Sequence, residues 1–246
     1  MTALGILRPG HSGEDDYPRI EQLLGSDVRV DLVHTGTGGD VPGGADFAGR
    51  LAPGVEELRL AGAETVVWAG AGFVHGWQEA RRQVRTLARL AGMPASSTSL
   101  AFVHAARALG VRRVAVATAF PKERAALFAD FLRAAGLEVT GVHSAGDAAV
   151  AGAGAGVRAG VWGEAWGEAG ALAMVRAADG PGAQAVVVPD TALPTAAYLP
   201  VLEGALSKPV LTGNQVTVWE GLRLADRRVN APSLGALFTR ERPGRA

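Results

Sequence analysis

The strongest constraint on this fold is a series of short, unbroken apolar runs separated by longer stretches with helical spacing. Candidate strands are Leu4–Leu7, Val28–Val33, Thr65–Trp68, Arg113–Ala117, Glu138–Val142, Ala185–Val188 and Pro209–Leu211. Most are continuous rather than alternating. That pattern marks strands covered on both faces, as in parallel sheets. Candidate helices lie at Pro18–Leu24, Asp46–Ala61, Gln78–Ala91, Thr98–Leu109, Pro121–Ala135, Glu164–Ala178, Thr195–Leu206 and Val216–Leu224. Pro121 suits a first helical turn, and Gly110 and Gly136 suit the positions just past a helix end. Strand and helix in alternation predict right-handed βαβ units and an α/β fold.

The chain also echoes itself. Leu4–Gly10 resembles Val114–Phe120 in position, and Glu64–Gly72 resembles Gln184–Thr191. The offsets are about 110 and 120 residues, as expected of two related halves. Two such halves set two strand-end turns face to face across a cleft. The alternative is chance similarity of apolar strands.

Composition closes off several classes. The 246 residues, 48% of them hydrophobic, suffice for one large domain or two small lobes. Lys+Arg and Asp+Glu are equal at 24 each, and no basic patch interleaved with aromatics points to nucleic acid. There is no cysteine, hence no disulfide and no thiolate metal site. The start lacks a basic, then apolar leader. No apolar run approaches the roughly 18 residues of a membrane helix. These features predict a cytoplasmic protein with no nucleic-acid or membrane partner. There is no HExxH, GxGxxG, GxSxG or P-loop, so no metal, dinucleotide or nucleophilic-serine site is expected. Residues 144–170 are Gly/Ala-rich and read as a loop leading into the helix near Glu164. Such a loop is either a lid over the cleft or a tolerated insertion.

Ligands of open α/β sheets bind beyond the carboxyl ends of the strands. Four turns qualify: Arg8–Gly13, Ala69–Gly72, Thr118–Pro121 and Pro189–Thr191. Backbone N–H groups at helix starts there favour a carboxylate, or an enolate-like oxyanion. Asp190 is the sharpest candidate. A carboxyl at the end of a buried strand can have its pKa raised by desolvation and then exchange a proton near neutrality. The competing reading makes Asp190 a cap of the helix near Pro194 or a turn-former. His11 is either an acid/base or carboxylate-holding group, or a surface-loop histidine. Thr118 and Thr191 either bind a carboxylate or satisfy turn backbone. His75 and His104 read as structural, Ser97–Ser99 as an N-cap cluster, and Asn214 as an interior hydrogen-bonding hub.

Several segments together resemble the aspartate/glutamate racemase superfamily, in its branch of maleate isomerases and arylmalonate decarboxylases. The opening Gly5-Ile6-Leu7-Arg8-Pro9 is similar to that family's first strand and its Pro-containing anion loop. Val67-Trp68-Ala69-Gly70 is similar to the segment that holds its first cysteine, and Arg113–Phe120 to its second-half strand. The most specific stretch is Leu202–Leu211 followed by Thr212-Gly213-Asn214-Gln215 and Trp219. The resemblance spans nearly the whole chain.

It implies two pseudo-symmetric Rossmann-like lobes with parallel sheets and an active-site cleft between them. Residues 1–98 with 208–246 are expected in one lobe and 99–207 in the other. It further implies a cofactor-independent lyase or isomerase that moves a proton through an enolate on a small carboxylate or carbonyl compound, in a possible homodimer.

The departures matter as much. The family's two cysteine turns carry Gly70 and Asp190 here. Glycine at the first turn resembles the decarboxylase pattern. The positions matching the decarboxylases' hydroxyl side chains are Ala71, Gly72 and Phe120, none with a hydroxyl, so the pocket is expected to be less polar. The family's first-loop asparagine corresponds to Ser12. The site expected from this reading has Asp190 and His11 as catalytic groups. Pro9, Gly10, Ser12, Gly70, Ala71, Gly72, Thr118, Phe120 and Thr191 hold substrate. The alternatives are a non-catalytic ligand- or partner-binding homologue and a cyclase-type reaction on the same scaffold.

Overall fold

The computed structural model describes residues 1–9, 16–35, 46–146 and 167–239. Among these residues eight strands form two four-stranded sheets, parallel throughout. They are β1 (Thr2–Arg8), β2 (Val28–His34), β3 (Thr65–Trp68), β4 (Ala95–Ser97), β5 (Arg113–Thr118), β6 (Glu138–Ser144), β7 (Ala185–Val188) and β8 (Val210–Thr212). The first sheet runs β2-β1-β3-β4 and the second β6-β5-β7-β8. The identical orders explain the internal echo: β1 and β5 hold one place, β3 and β7 another.

Helices connect them: α1 (Asp16–Leu24), α2 (Phe47–Leu60), α3 (Gly76–Ala91), α4 (Thr98–Ala108), α5 (Lys122–Ala134), α6 (Glu168–Ala178), α7 (Leu199–Leu206) and α8 (Gly213–Leu224). None among the described residues is long and apolar enough to cross a membrane.

Continuous apolar strands are buried on both faces because each faces a different core. Leu4 and Ile6 of β1 meet Val114 and Val116 of β5 in one central core with α1, α4, α5 and α8. Leu7, Val66 and Trp68 point the other way, onto α2 and α3. Ala115, Ala117, Val186 and Val188 do the same onto α6 and α7. The edge strand β6 is covered less and alternates between exposed and partly buried residues.

The strand runs match their expected cores: Thr65–Trp68 and Ala185–Val188 coincide, the other ends extend by at most two residues, and β8 is shifted by one. β4 was not anticipated. It is three residues long, Ala-Ser-Ser, and carries no apolar run, yet it pairs with β3 from Val66↔Ala95 to Trp68↔Ser97. The expected helix at Thr195–Leu206 is a 3-10 turn (Ala196–Tyr198) followed by α7, where Pro200 sits in the first turn. α8 begins three residues early, at Gly213. Its N-cap Thr212 donates its backbone N–H to the Gln215 side chain at 3.0 Å.

β8 pairs with β7 in the second sheet, from Val186↔Val210 to Val188↔Thr212. The chain therefore recrosses to the first sheet at Gly213, not at residue 208. α8 lies against β1, β3 and β4 and against α4. Thr65 Oγ1 donates to the Gly221 carbonyl at 3.4 Å, and Thr98 and Thr217 share a hydroxyl–hydroxyl bond at 2.5 Å. The polar residues of this buried helix all have work. Gln215 donates to the Leu234 carbonyl and Asn214 to Asp16. Glu220 takes bonds from His104 and Arg223.

Candidate active site

Four strands end at the junction of the two sheets, and each contributes a turn. β7 runs through Pro189 into Asp190, which is 3% exposed. Its carboxylate is tied to the end of the neighbouring β5. Thr118 Oγ1 donates to Asp190 Oδ2 at 2.6 Å, and the Ala119 N–H donates to Oδ1 at 3.1 Å. The Phe120 N–H donates to Thr118 Oγ1 at 3.0 Å. The threonine hydroxyl thus accepts from one side and spends its single hydrogen on the carboxylate. Burial pushes the Asp190 carboxyl up to about 7, against the lowering effect of the Thr118 bond, the Ala119 bond and the Arg124 charge. Asp190 does not cap a helix: α7 starts at Leu199, and the carboxyl oxygens face β5.

The opposing turn leaves β3 at Ala69, whose N–H donates to the Leu7 carbonyl at 2.8 Å. It passes Gly70 and Ala71 into a 3-10 turn, Gly72–His75, and then α3. The Phe73 N–H donates to Ser99 Oγ at 3.1 Å. Gly70 has no room for a side chain. A Cβ built there would meet the Trp68 indole at 2.3 Å. At Gly72 the same test finds Trp68 at 3.1 Å and Ser99 Oγ at 3.6 Å.

Aromatic contacts hold the two sides together. Phe73, just past the β3 turn, stacks on Phe120, just past β5, with centroids 5.8 Å apart. The Arg124 guanidinium lies 4.7 Å from the Phe120 centroid and 5.8 Å from that of Phe73. Phe120 thus supplies an apolar ring and a cation–π face where a hydroxyl was missing from the sequence.

From β1, Arg8 reaches across to the second sheet. Its Nη2 donates to the Thr191 carbonyl at 3.0 Å, one residue past Asp190. Pro9 follows at the end of the described β1 segment. Gly10, His11 and Ser12 lie outside the described residues, as does most of the 144–170 loop. Behind Arg8, Asp16 accepts from the Thr195 N–H (2.8 Å), the Ala196 N–H (3.1 Å) and Asn214 Nδ2 (3.0 Å). Burial pushes the Asp16 carboxyl upward, and these donors counter it. Asn214 is thus the interior hub expected, with an unforeseen carboxylate as its partner. His104 is bonded to Glu220 at 2.7 Å, on the α4–α8 contact. Among the described residues no cluster of His, Cys, Asp and Glu could hold a metal ion.

The sequence model of a family described as arylmalonate decarboxylase matches residues 43–238, four-fifths of the chain. The chain belongs to that family. An arylmalonate decarboxylase of Bordetella bronchiseptica is 30% identical over 196 residues, covering 78% of this chain and 75% of its own. The structure of an unliganded arylmalonate decarboxylase superposes with a TM-score of 0.77 and 25% identity, over 97% of this chain and 99% of that one. The maleate isomerase Iso from Pseudomonas putida S16 shares the fold, with a TM-score of 0.80 and 19% identity over 97% and 98% of the two chains.

Both the Gly70 and the Asp190 turns fall within the span that matches the arylmalonate decarboxylase family. β1, with Arg8 and Pro9, precedes it. The expected parallel two-sheet architecture is the architecture of these relatives. Four features escaped sequence reasoning: the Arg8 side chain, the Asp16 carboxylate, the indole under Gly70, and the Arg124–Phe120–Phe73 stack. Only Arg8 left a trace, as a charged residue ending an apolar strand.

Proposed function

We propose that this protein is a cofactor-independent lyase or isomerase that acts through proton transfer at a carbon next to a carboxylate or carbonyl, with Asp190 as the acid/base. The observation that carries this reading is the Asp190 carboxyl itself. It is buried at the end of β7, at the turn that faces the β1 and β3 ends, and its bonds come from neutral donors only. Such a group changes protonation near neutral pH, where a general acid or base works best. In the decarboxylase form, the C–C bond to one carboxylate of a malonate breaks, CO2 leaves, and the electron pair remains as an enediolate. Protonated Asp190 then delivers its proton to that carbon and is reprotonated from water. Thr118 and the Ala119 N–H fix the carboxyl in place, so Thr118 serves as a positioning residue. The Gly70 and Ala71 N–H groups and the Thr191 turn hold the developing anion, with Pro9 lining the site; the Gly72 N–H is already donated to the Gly70 carbonyl at 3.0 Å. The Phe120 and Phe73 rings favour a bulky or apolar substituent.

The absence of hydroxyls at Ala71, Gly72 and Phe120 favours a second reading, a ligand-binding homologue without turnover. NMR in D2O with malonates, maleate and hydroxy or keto acids separates the two. The enzyme reading expects deuterium incorporation or CO2 loss that disappears in Asp190→Asn. Binding without exchange, or equal exchange in the variant, defeats it.

A further inference from the structure

Arg8 is an arginine that a parallel strand should not carry. It ends β1, 2% exposed, where its neighbours are apolar. A guanidinium has five N–H donors and is always charged. Among the described residues only Nη2 has a hydrogen-bond partner, the Thr191 carbonyl at 3.0 Å. Nε and Nη1 are buried and make no hydrogen bond. No carboxylate among the described residues pairs with it. The guanidinium also lies near the Tyr17 ring, 5.8 Å from Cζ to the centroid, which takes up charge only weakly. The Tyr17 hydroxyl is buried beside Arg8 and Thr217 but makes no well-formed hydrogen bond; burial pushes it up to about 12 against the lowering effect of the Arg8 charge, so it stays neutral and cannot balance the guanidinium.

A buried charge with unused donors is strongly unfavourable unless an opposite charge meets it. Orphaned polar atoms of this kind are rare in folded proteins and call for a partner. The one bond that Arg8 does make fixes where that partner sits. It anchors the guanidinium to the residue after Asp190, from the opposite sheet.

We propose that Arg8 is a substrate-binding residue: its free N–H groups take an oxyanion of the carboxylate class, beside the Asp190 turn. This deepens the function proposed above and rests on that reading of the Asp190 turn. One carboxylate of the substrate is held by Arg8 and the reacting carbon is left to Asp190. The preferred substrates then carry a carboxylate that is retained in the product, and neutral carbonyl compounds are poor ligands. No backbone N–H can do the same, because Arg8 adds a full charge in an interior where charge-assisted bonds are strongest. Lysine is a weak substitute, since its point charge cannot reproduce the planar fork.

The test is calorimetric titration of the full-length protein with malonate, phenylmalonate and inorganic phosphate. Wild type, Arg8→Gln, Arg8→Lys and Asp190→Asn are compared. Wild type is expected to bind malonate and phenylmalonate. Arg8→Gln weakens both at least ~30-fold, Arg8→Lys weakens them less, and Asp190→Asn keeps them within a few-fold. Should Arg8→Gln fail to fold, the wild-type Arg8 15Nε–H resonance, assigned by its loss in Arg8→Lys, must shift on adding malonate.

Three results overturn the proposal: wild type binds neither malonate, Arg8→Gln binds as tightly as wild type, or phosphate binds as well as malonate. In the first case, destabilisation of Arg8→Gln assigns Arg8 a purely structural role. Malonate binding through Arg8 without proton exchange at any ligand would leave this inference standing and defeat only the Asp190 mechanism.

Discussion

The turn after β3 and the turn after β7 hold equivalent places in two sheets of the same strand order. They are built in opposite ways. After β3, the Trp68 indole folds back under Gly70 and fills the space where a side chain would stand. After β7, a carboxyl stands in that place, bonded by Thr118 and Ala119 from the next strand. One turn is closed by packing and offers only backbone. The other carries a titratable group. A duplicated frame therefore supplies two strand ends, and the chemistry of each is set by what lies beside it. Glu220 makes the same point about burial. Desolvation pushes this carboxyl up as well, but bonds from Arg223 and His104 outweigh it and hold the group at about 2. Asp190 has no such directly bonded cation, so burial wins.

If the asymmetry of the turns is functional, Asp190→Asn should produce the largest effect. Proton exchange or decarboxylation is expected to fall ~10³-fold, with circular dichroism unchanged. An activity within a few-fold of wild type would break the comparison.

The next effect is on stability. The folded pKa of Asp190 lies above its unfolded value of 3.8. The folded state therefore binds the extra proton between about 4 and 7. Its contribution to stability is fully present below about 4 and is lost as pH rises through about 7. Relative to wild type, Asp190→Asn should gain stability across that window, up to about 4 kcal/mol. Glu220 behaves with the opposite sign, its contribution fading only as pH falls toward about 2, and it cancels in the difference. Denaturant titrations of both proteins at pH 4, 6 and 8 measure it. A constant gap would mean that Asp190 is not the group held near 7.

Filling the first turn is a smaller change. Gly70→Cys, which puts a thiol where the fold's symmetry would allow one, is expected to destabilise by about 2 kcal/mol through overpacking against Trp68. Combining it with Trp68→Phe should recover part of that loss. Thermal melts forming a double-mutant cycle read the coupling, and strict additivity would show that the indole does not exclude the side chain.

The smallest and sharpest test is Thr118→Val. It removes a bond that favours the ionised carboxyl, so the pH at which activity changes should move up, by about one unit. An unmoved profile would remove Thr118 from its positioning role.

Most of the fold was legible because buried parallel strands leave unbroken apolar runs, and Leu4–Leu7, Thr65–Trp68 and Ala185–Val188 all became strands. β4 was not legible: Ala95–Ser97 is held by pairing with β3, not by its own side chains. The extent of α8 was hidden for a similar reason. Its buried face carries Asn214, Gln215, Thr217 and Glu220, which read as polar until their partners on distant elements are known.

At the site, Asp190 could be singled out by its place after a buried strand. Its bonds to Thr118 and Ala119 join residues about 70 positions apart, which no local pattern predicts. Arg8 reaches Thr191 across 183 positions.

The sequence alone determined the α/β class, the two-fold echo, the lack of any thiol and the family. These depend on periodicity, composition and local motif, which are properties of neighbouring residues. The tertiary structure decided the rest: that the chain recrosses at Gly213, that Trp68 closes the Gly70 turn, and that Asp190 meets neutral donors while Glu220 meets cations. Charge, burial and room for a side chain depend on which distant groups arrive at a point. Only folding sets that.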